Sequence, residues 1–219
     1  MRLLSSVKDL FANFLFPRSS KVLALEELTA GTLLETLPQA EPLKDKNTIA
    51  LFNYGHPLVK EIVWELKYHG NTKIASKLGE ILYDVINQEL TDRALFEKWS
   101  RPILVPIPIS DKRRFERGWN QSELLAQAVK LCDTEKIFKY LPRQLAKLHH
   151  TESQTKTSSR SERLRNLTNS MKVLNQTRVA GECVIVLDDV TTTGSTFAEA
   201  RRALQEAGAK KILCIAVAH

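Results

Sequence analysis

Apolar residues in this chain fall either into short unbroken runs or into longer stretches at helical spacing. The runs are Ile103 to Val105, Cys183 to Leu187 and Ile212 to Val217, with Ile137 to Leu141 as a more mixed fourth. Runs so short predict strands, and the unbroken ones read as strands covered on both faces, as in a parallel sheet. The prolines of VPIPIS end the first strand, and Pro142 ends the mixed one. Between the runs, Pro57 opens a short amphipathic helix, Leu58 to Tyr68, broken at Gly70. A longer helix follows from about Lys73 to Glu89, with Ile74, Leu78, Ile81, Leu82 and Val85 on one face. Asn120 and Glu123 form a capping pair for a helix running to Cys132. Phe197, Ala200, Ala203, Leu204 and Ala207 line another, closed at Gly208. Trp64 and Tyr68 are expected to pack in the core.

Strands alternating with helices through right-handed crossovers give an α/β fold, a mostly parallel sheet flanked by helices on both faces. The chain divides into a small N-terminal appendage, residues 1–47, and an α/β domain, residues 48–219. In the appendage Leu3, Val7, Leu10, Phe11, Phe14 and Leu15 lie at amphipathic spacing, and the polar face has no basic cluster. It is expected to pack on its own domain or on a second copy, as a homodimer, rather than on a membrane. From Gln144 to Met171 the composition turns to Ser, Thr, Arg, Gln and Asn. A loop that long inside a compact domain is usually functional or disordered.

The chemistry concentrates in VIVLDDVTTTGST, Val184 to Thr196. A loop of small hydroxyls and glycine opening onto a helix N-terminus is a phosphate cradle, because free N–H groups and the helix dipole both face the anion. Gly194 permits close backbone approach, and Thr192, Thr193, Ser195 and Thr196 add hydroxyls. Asp188 and Asp189 would repel the phosphate itself. They make sense as acceptors for a vicinal diol, one acid per sugar hydroxyl, so the ligand implied is a ribose 5-phosphate unit. A lone acid pair would be read as a turn cap; the ordered run after a buried strand favours the ligand.

This run resembles the 5-phosphoribosyl-1-diphosphate (PRPP) motif of type I phosphoribosyltransferases. FNYGHPLVKEIVWELKYHG (Phe52 to Gly70), LVPIPIS (Leu104 to Ser110), RGWNQSELLA (Arg117 to Ala126), the segment around Gln154, ERLRN (Glu162 to Asn166) and the terminal AVAH make the chain similar to the competence-associated ComF family. The resemblance runs from about Phe52 to His219. It implies a type I phosphoribosyltransferase-like fold and a PRPP contact at Asp188, Asp189 and Thr191 to Thr196. Pro106, Ile107 and Pro108 would begin a pyrophosphate loop that extends to Ser110 and offers backbone N–H groups. Arg113 would neutralise the leaving group, and Thr151 to Arg165 would be a lid carrying Lys156, Arg160 and Arg163. Lys156, Arg160, Arg163 and Arg113 are the candidate catalytic residues, with Mg²⁺ entering through the bound PRPP. Thr192 stands where purine-salvage relatives carry an acid, which argues against simple purine salvage. One departure is clear: the family usually opens on a cysteine-rich zinc module, whereas no Cys precedes Cys132 here.

Composition narrows the picture only modestly. Three cysteines, Cys132, Cys183 and Cys214, lack the spacing of a zinc ribbon or disulfide framework, so no protein metal site is expected. No apolar run approaches the ~20 residues of a membrane helix, and Lys8 and Asp9 interrupt any signal-peptide core; membrane insertion is not expected and the cytoplasm is. A net charge of +7 suits an anionic ligand. The charge gathers at Lys112 to Arg117 and from Arg143 to Lys172, both expected to be loops beside the site. Two functions remain open. One is a phosphoribosyltransferase with an unidentified acceptor. The other is a non-catalytic module binding PRPP and single-stranded DNA, alone or with DNA-uptake proteins.

Overall fold

A computed structural model describes residues 20–97, 99–148 and 169–219. In chain order its strands are β1 (Thr48–Phe52), β2 (Ile103–Pro106), β3 (Lys139–Tyr140), β4 (Leu145–Lys147), β5 (Met171–Val173), β6 (Cys183–Val190) and β7 (Lys211–Ala218). The helices are α1 (Ser20–Glu27), α2 (Ala30–Thr36), α3 (Pro57–Trp64), α4 (Thr72–Glu97), α5 (Asp111–Arg117), α6 (Gln121–Cys132) and α7 (Ser195–Glu206). Five strands make one sheet in the order β1-β7-β6-β2-β3, every neighbouring pair parallel; β4 and β5 form a separate antiparallel hairpin.

The continuous apolar runs lie in the middle of the sheet, where both faces are covered. Side chains alternate across the strands. Ile185 and Leu187 of β6, with Leu213, Ile215 and Val217 of β7, face one cluster that includes residues of α1 to α4 and α6. Val184, Val186, Cys214 and Ala216 face a second, beneath α7 and the β4–β5 hairpin. Burial pushes the Cys214 thiol up to about 12, which makes it inert as a nucleophile at neutral pH. Val22, Leu25, Leu33 and Leu37, from the described part of residues 1–47, join the first cluster. The two segments therefore share one core. The amphipathic stretch Leu3 to Leu15 lies outside the described residues.

Several local expectations change. β1 was not signalled, because Thr48, Ile49 and Ala50 are only partly buried at a sheet edge. The basic stretch Lys112 to Arg117 is helical rather than looped: Ser110 caps α5 and accepts from Arg113 N–H, and Gly118 closes it at φ +89. The ends of the long polar segment pair as β4 and β5. Trp64 and Tyr68 are 42% and 44% exposed, because Val59, Ile62, Val63 and Leu66 already fill the core-facing stripe. Asn120 caps α6 by accepting from Ser122 N–H at 3.0 Å, but Glu123 turns away to Arg114, 3.0 Å off, so the reciprocal capping pair does not form. No described helix is long and apolar enough to cross a membrane.

Candidate functional site

The acids sit inside the strand rather than on the loop after it. β6 continues through Asp188 and Asp189 to Val190, with Asp188 in register with Ala216. Both acids are buried, at 6% and 4% exposure, so each needs partners. Asp188 Oδ1 accepts from the Ser122 hydroxyl at 2.7 Å and from Asp189 N–H at 2.9 Å. Asp189 Oδ1 accepts a long hydrogen bond, 3.4 Å, from the Gln121 amide. Its Oδ2 lies 3.0 Å from Lys67 Nζ, an ion pair off hydrogen-bond geometry. Burial, then the neighbouring charge of Asp189, raises Asp188 well above the usual carboxylate range, with the Ser122 hydrogen bond acting in the opposite sense.

After the acids the chain opens toward solvent. Thr191 is buried and tied down: its N–H donates to Ala218 O at 2.9 Å, and its carbonyl meets His219 Nδ1 at 3.1 Å. Thr192 and Thr193 are exposed, while Gly194, Ser195 and Thr196 are half-buried. Gly194 is left-handed, at φ +74, and a Cβ there would meet nothing within 4 Å. The glycine is thus required by the backbone angle, and the space beside it is open. Thr193 and Ser195 hydroxyls are 3.0 Å apart, and Ser195 N–H reaches Thr193 Oγ1 at 3.4 Å. Helix α7 starts at Ser195, so its unpaired N–H groups lie beside the loop.

Across the edge of the sheet, Pro106 pairs in register with Leu187, and Ile107 N–H donates to Leu187 O at 2.9 Å. Pro106 and Pro108 have no N–H. Of the three residues Pro106, Ile107 and Pro108, therefore, none has an N–H to offer a ligand; Ile109 and Ser110 carry the loop's remaining ones. The expectation that this whole stretch presents amides is corrected on that ground. Asn120 Nδ2 donates to Ile107 O at 2.8 Å, fixing the loop to the start of α6. Arg113 is exposed on α5. Burial, then the charge of Arg113, lowers the Lys147 ammonium, while Asp188 acts in the opposite sense. Arg113, Lys147 and Asp188 thus share one electrostatic neighbourhood. Lys156, Arg160 and Arg163 lie outside the described residues.

Sequence reading missed Lys67, Gln121 and Ser122, and placed Lys147 only within a basic cluster beside the site. Gln121 and Ser122 stood inside the conspicuous RGWNQSELLA segment, where a buried glutamine and serine on an otherwise apolar helix face are the available signal. Lys67 lies within the π-helical turn Glu65–His69, which follows α3 and closes at Gly70; nothing in its local spacing points to Asp189.

Fold and site define a parallel α/β protein whose acid pair and hydroxyl-rich loop meet at the carboxyl edge of the sheet. No known protein-family model matches the chain. DNA utilization protein YhgH of Salmonella typhimurium is 28% identical over 210 residues, covering 90% of this chain and 81% of that protein. Competence protein ComFC of Bacillus subtilis is 26% identical over 166 residues, covering 76% of this chain and 60% of that protein. The chain is a homologue of these competence and DNA-utilization proteins. Among solved structures, glutamine phosphoribosylpyrophosphate (PRPP) amidotransferase from B. subtilis is 16% identical with a TM-score of 0.40; the match covers 70% of this chain and 30% of that one.

Proposed function

We propose that the chain binds PRPP at the carboxyl ends of β6 and β2 and transfers its phosphoribosyl group to an acceptor, releasing pyrophosphate, in the service of DNA uptake or use in the cytoplasm. The observation that carries this reading is one continuous arrangement. Two buried acids lie near the carboxyl end of the central strand, an exposed hydroxyl loop follows, and a helix N-terminus closes it. In open parallel sheets ligands bind in this crevice. The loop Thr192 to Thr196 takes the 5-phosphate and the acid pair takes the ribose diol. Arg113 and Lys147 supply positive charge toward the diphosphate.

Ser122 engages Asp188 Oδ1, and Gln121 and Lys67 engage the two oxygens of Asp189. Mg²⁺ in this reading arrives on the diphosphate and neutralises charge on the leaving group. The reaction is displacement at the anomeric carbon, and preorganised positive charge matters most because negative charge builds on the departing oxygen. The names of the relatives, competence protein and DNA utilization protein, support the biological setting.

A second reading, a non-catalytic module for PRPP and single-stranded DNA, is favoured by one feature. Trp64 and Tyr68 lie against each other with centroids 4.1 Å apart and planes tilted by 40°, and the Arg117 guanidinium lies 5.1 Å from the Tyr68 centroid. This aromatic and basic surface was absent from the sequence pattern, and exposed rings beside an arginine suit unpaired bases. Pyrophosphate release from PRPP, measured with and without single-stranded DNA, tests the two. Turnover with any acceptor supports the enzyme; tight binding of PRPP and salt-sensitive binding of DNA without turnover favours the module.

A further inference from the structure

Among the described residues, Lys67 contacts the acid pair from outside α6 and the strand ends. It lies on the π-helical turn after α3, and that turn is fixed from above: Trp119 Nε1 donates to Leu66 O at 2.8 Å. Lys67 Nζ is 3.0 Å from Asp189 Oδ2, and the two side chains are 23% and 5% exposed. A structural account would stop there, with a cation neutralising a buried carboxylate. Geometry carries it further, resting on the reading that PRPP binds here. With the 5-phosphate in the hydroxyl loop and the diol on the acids, Lys67 holds an oxygen that a ribose hydroxyl needs. The diphosphate hangs from C1, the carbon next to the C2 hydroxyl. A cation 3.0 Å from the diol's acceptor is therefore within a short side-chain swing of the leaving group.

We propose that Lys67 changes partners when PRPP binds: it yields Asp189 to the ribose diol and pairs with the diphosphate at C1. The exchange replaces one anion by a more highly charged one, so the lysine is never left uncompensated. The flexible four-carbon stem and rotatable ammonium make lysine suited to such a move. As the C1–O bond breaks, charge grows on the oxygen that Lys67 faces, so the contact tightens toward the transition state. Lys67 is then both a gate on the diol site and a leaving-group donor. The helix-capping and packing roles nearby belong to Trp119 and Gly70 instead.

The test compares two ligands that differ only in the diphosphate. PRPP and ribose 5-phosphate are titrated calorimetrically, at equal Mg²⁺, into wild type, Lys67→Met and Lys67→Arg. Lys67→Met should weaken PRPP by roughly tenfold or more, the scale of one lost charged hydrogen bond, and leave ribose 5-phosphate unchanged or tighter. Lys67→Arg should recover most of the PRPP loss. Because the readout is the ratio of two affinities in one sample, partial misfolding cancels. Equal losses for both ligands, or none for either, overturn the exchange while leaving PRPP binding standing. A wild type that binds neither ligand overturns the underlying reading as well. Wild type alone gives a second measurement: ribose 5-phosphate should increase amine-directed labelling of Lys67, read by mass spectrometry, and PRPP should suppress it. The same labelling with both ligands contradicts the proposal.

Discussion

The acid pair and the hydroxyl loop are neighbours in sequence and are built in opposite ways. The loop is exposed and assembles from itself: Thr193 meets Ser195, Gly194 turns left-handed, and the helix begins at the next residue. The pair is buried, and three of its four named partners come from distant segments: Ser122 and Gln121 from α6, Lys67 from the turn after α3. A cradle can be encoded locally because its donors are backbone groups that any chain possesses. Buried charges cannot, because they must be compensated from elsewhere in the fold. The loop therefore depends on one backbone angle, while the pair depends on tertiary packing.

This contrast is broken most severely at the pair's supports. Ser122→Ala removes the hydroxyl that donates to buried Asp188 and should destabilise the protein by about 1–3 kcal/mol, read as a lower denaturation midpoint. A midpoint equal to wild type would mean that the pair does not rely on α6. Next comes the loop. Gly194→Ala forces a side chain into the left-handed region, at about 1–2 kcal/mol. The loop should weaken binding of ribose 5-phosphate by several-fold to tenfold while the acid pair and core remain as they are. If ribose 5-phosphate binds the variant as well as wild type, the phosphate is not in this loop.

Titration sharpens the comparison further, since only the pair carries charge. Asp188 has its folded pKa raised, chiefly by burial. Between the unfolded value and the raised one, the folded state binds more protons, so stability falls as pH increases through that window and levels off above it. The slope per group cannot exceed about 1.4 kcal/mol per pH unit. Asp188→Asn should flatten this slope and gain on wild type as pH rises. A wild-type stability that climbs over the same window by as much as in the variant would contradict the assignment. The smallest effect belongs to Arg202, at the far end of α7 from the loop. It pairs with Glu199 and Glu206 and donates to Met171 O at 2.9 Å, and Arg202→Ala should leave PRPP affinity unchanged.

The same contrast explains what could be read from sequence. The sheet's middle strands were legible because β6 up to its acid pair, and β7 from Ile212 onward, are continuous apolar runs. The hydroxyl loop was legible because its signal lies within a few consecutive residues. β1 and the β4–β5 hairpin were not, since an edge strand of mixed burial and two strands separated by a long polar segment give no local periodicity. Lys67 and Gln121 escaped for another reason. Their role is defined by an acid more than fifty residues away in the chain, and nothing around them reveals it. Trp64 and Tyr68 looked like core because aromatics on a short helix usually are; only the packing of Val59, Ile62, Val63 and Leu66 shows that stripe to be full.

The central claim is that the acid pair and the hydroxyl loop bind one ligand between them. Titration calorimetry with PRPP on wild type and on the double variant Asp188→Asn, Asp189→Asn, with a melting curve for each, tests it directly. The account predicts saturable binding to wild type, a loss of roughly a hundredfold or more in the double variant, on the scale of two charged hydrogen bonds, and a variant that remains folded. PRPP binding the folded double variant with unchanged affinity would contradict it.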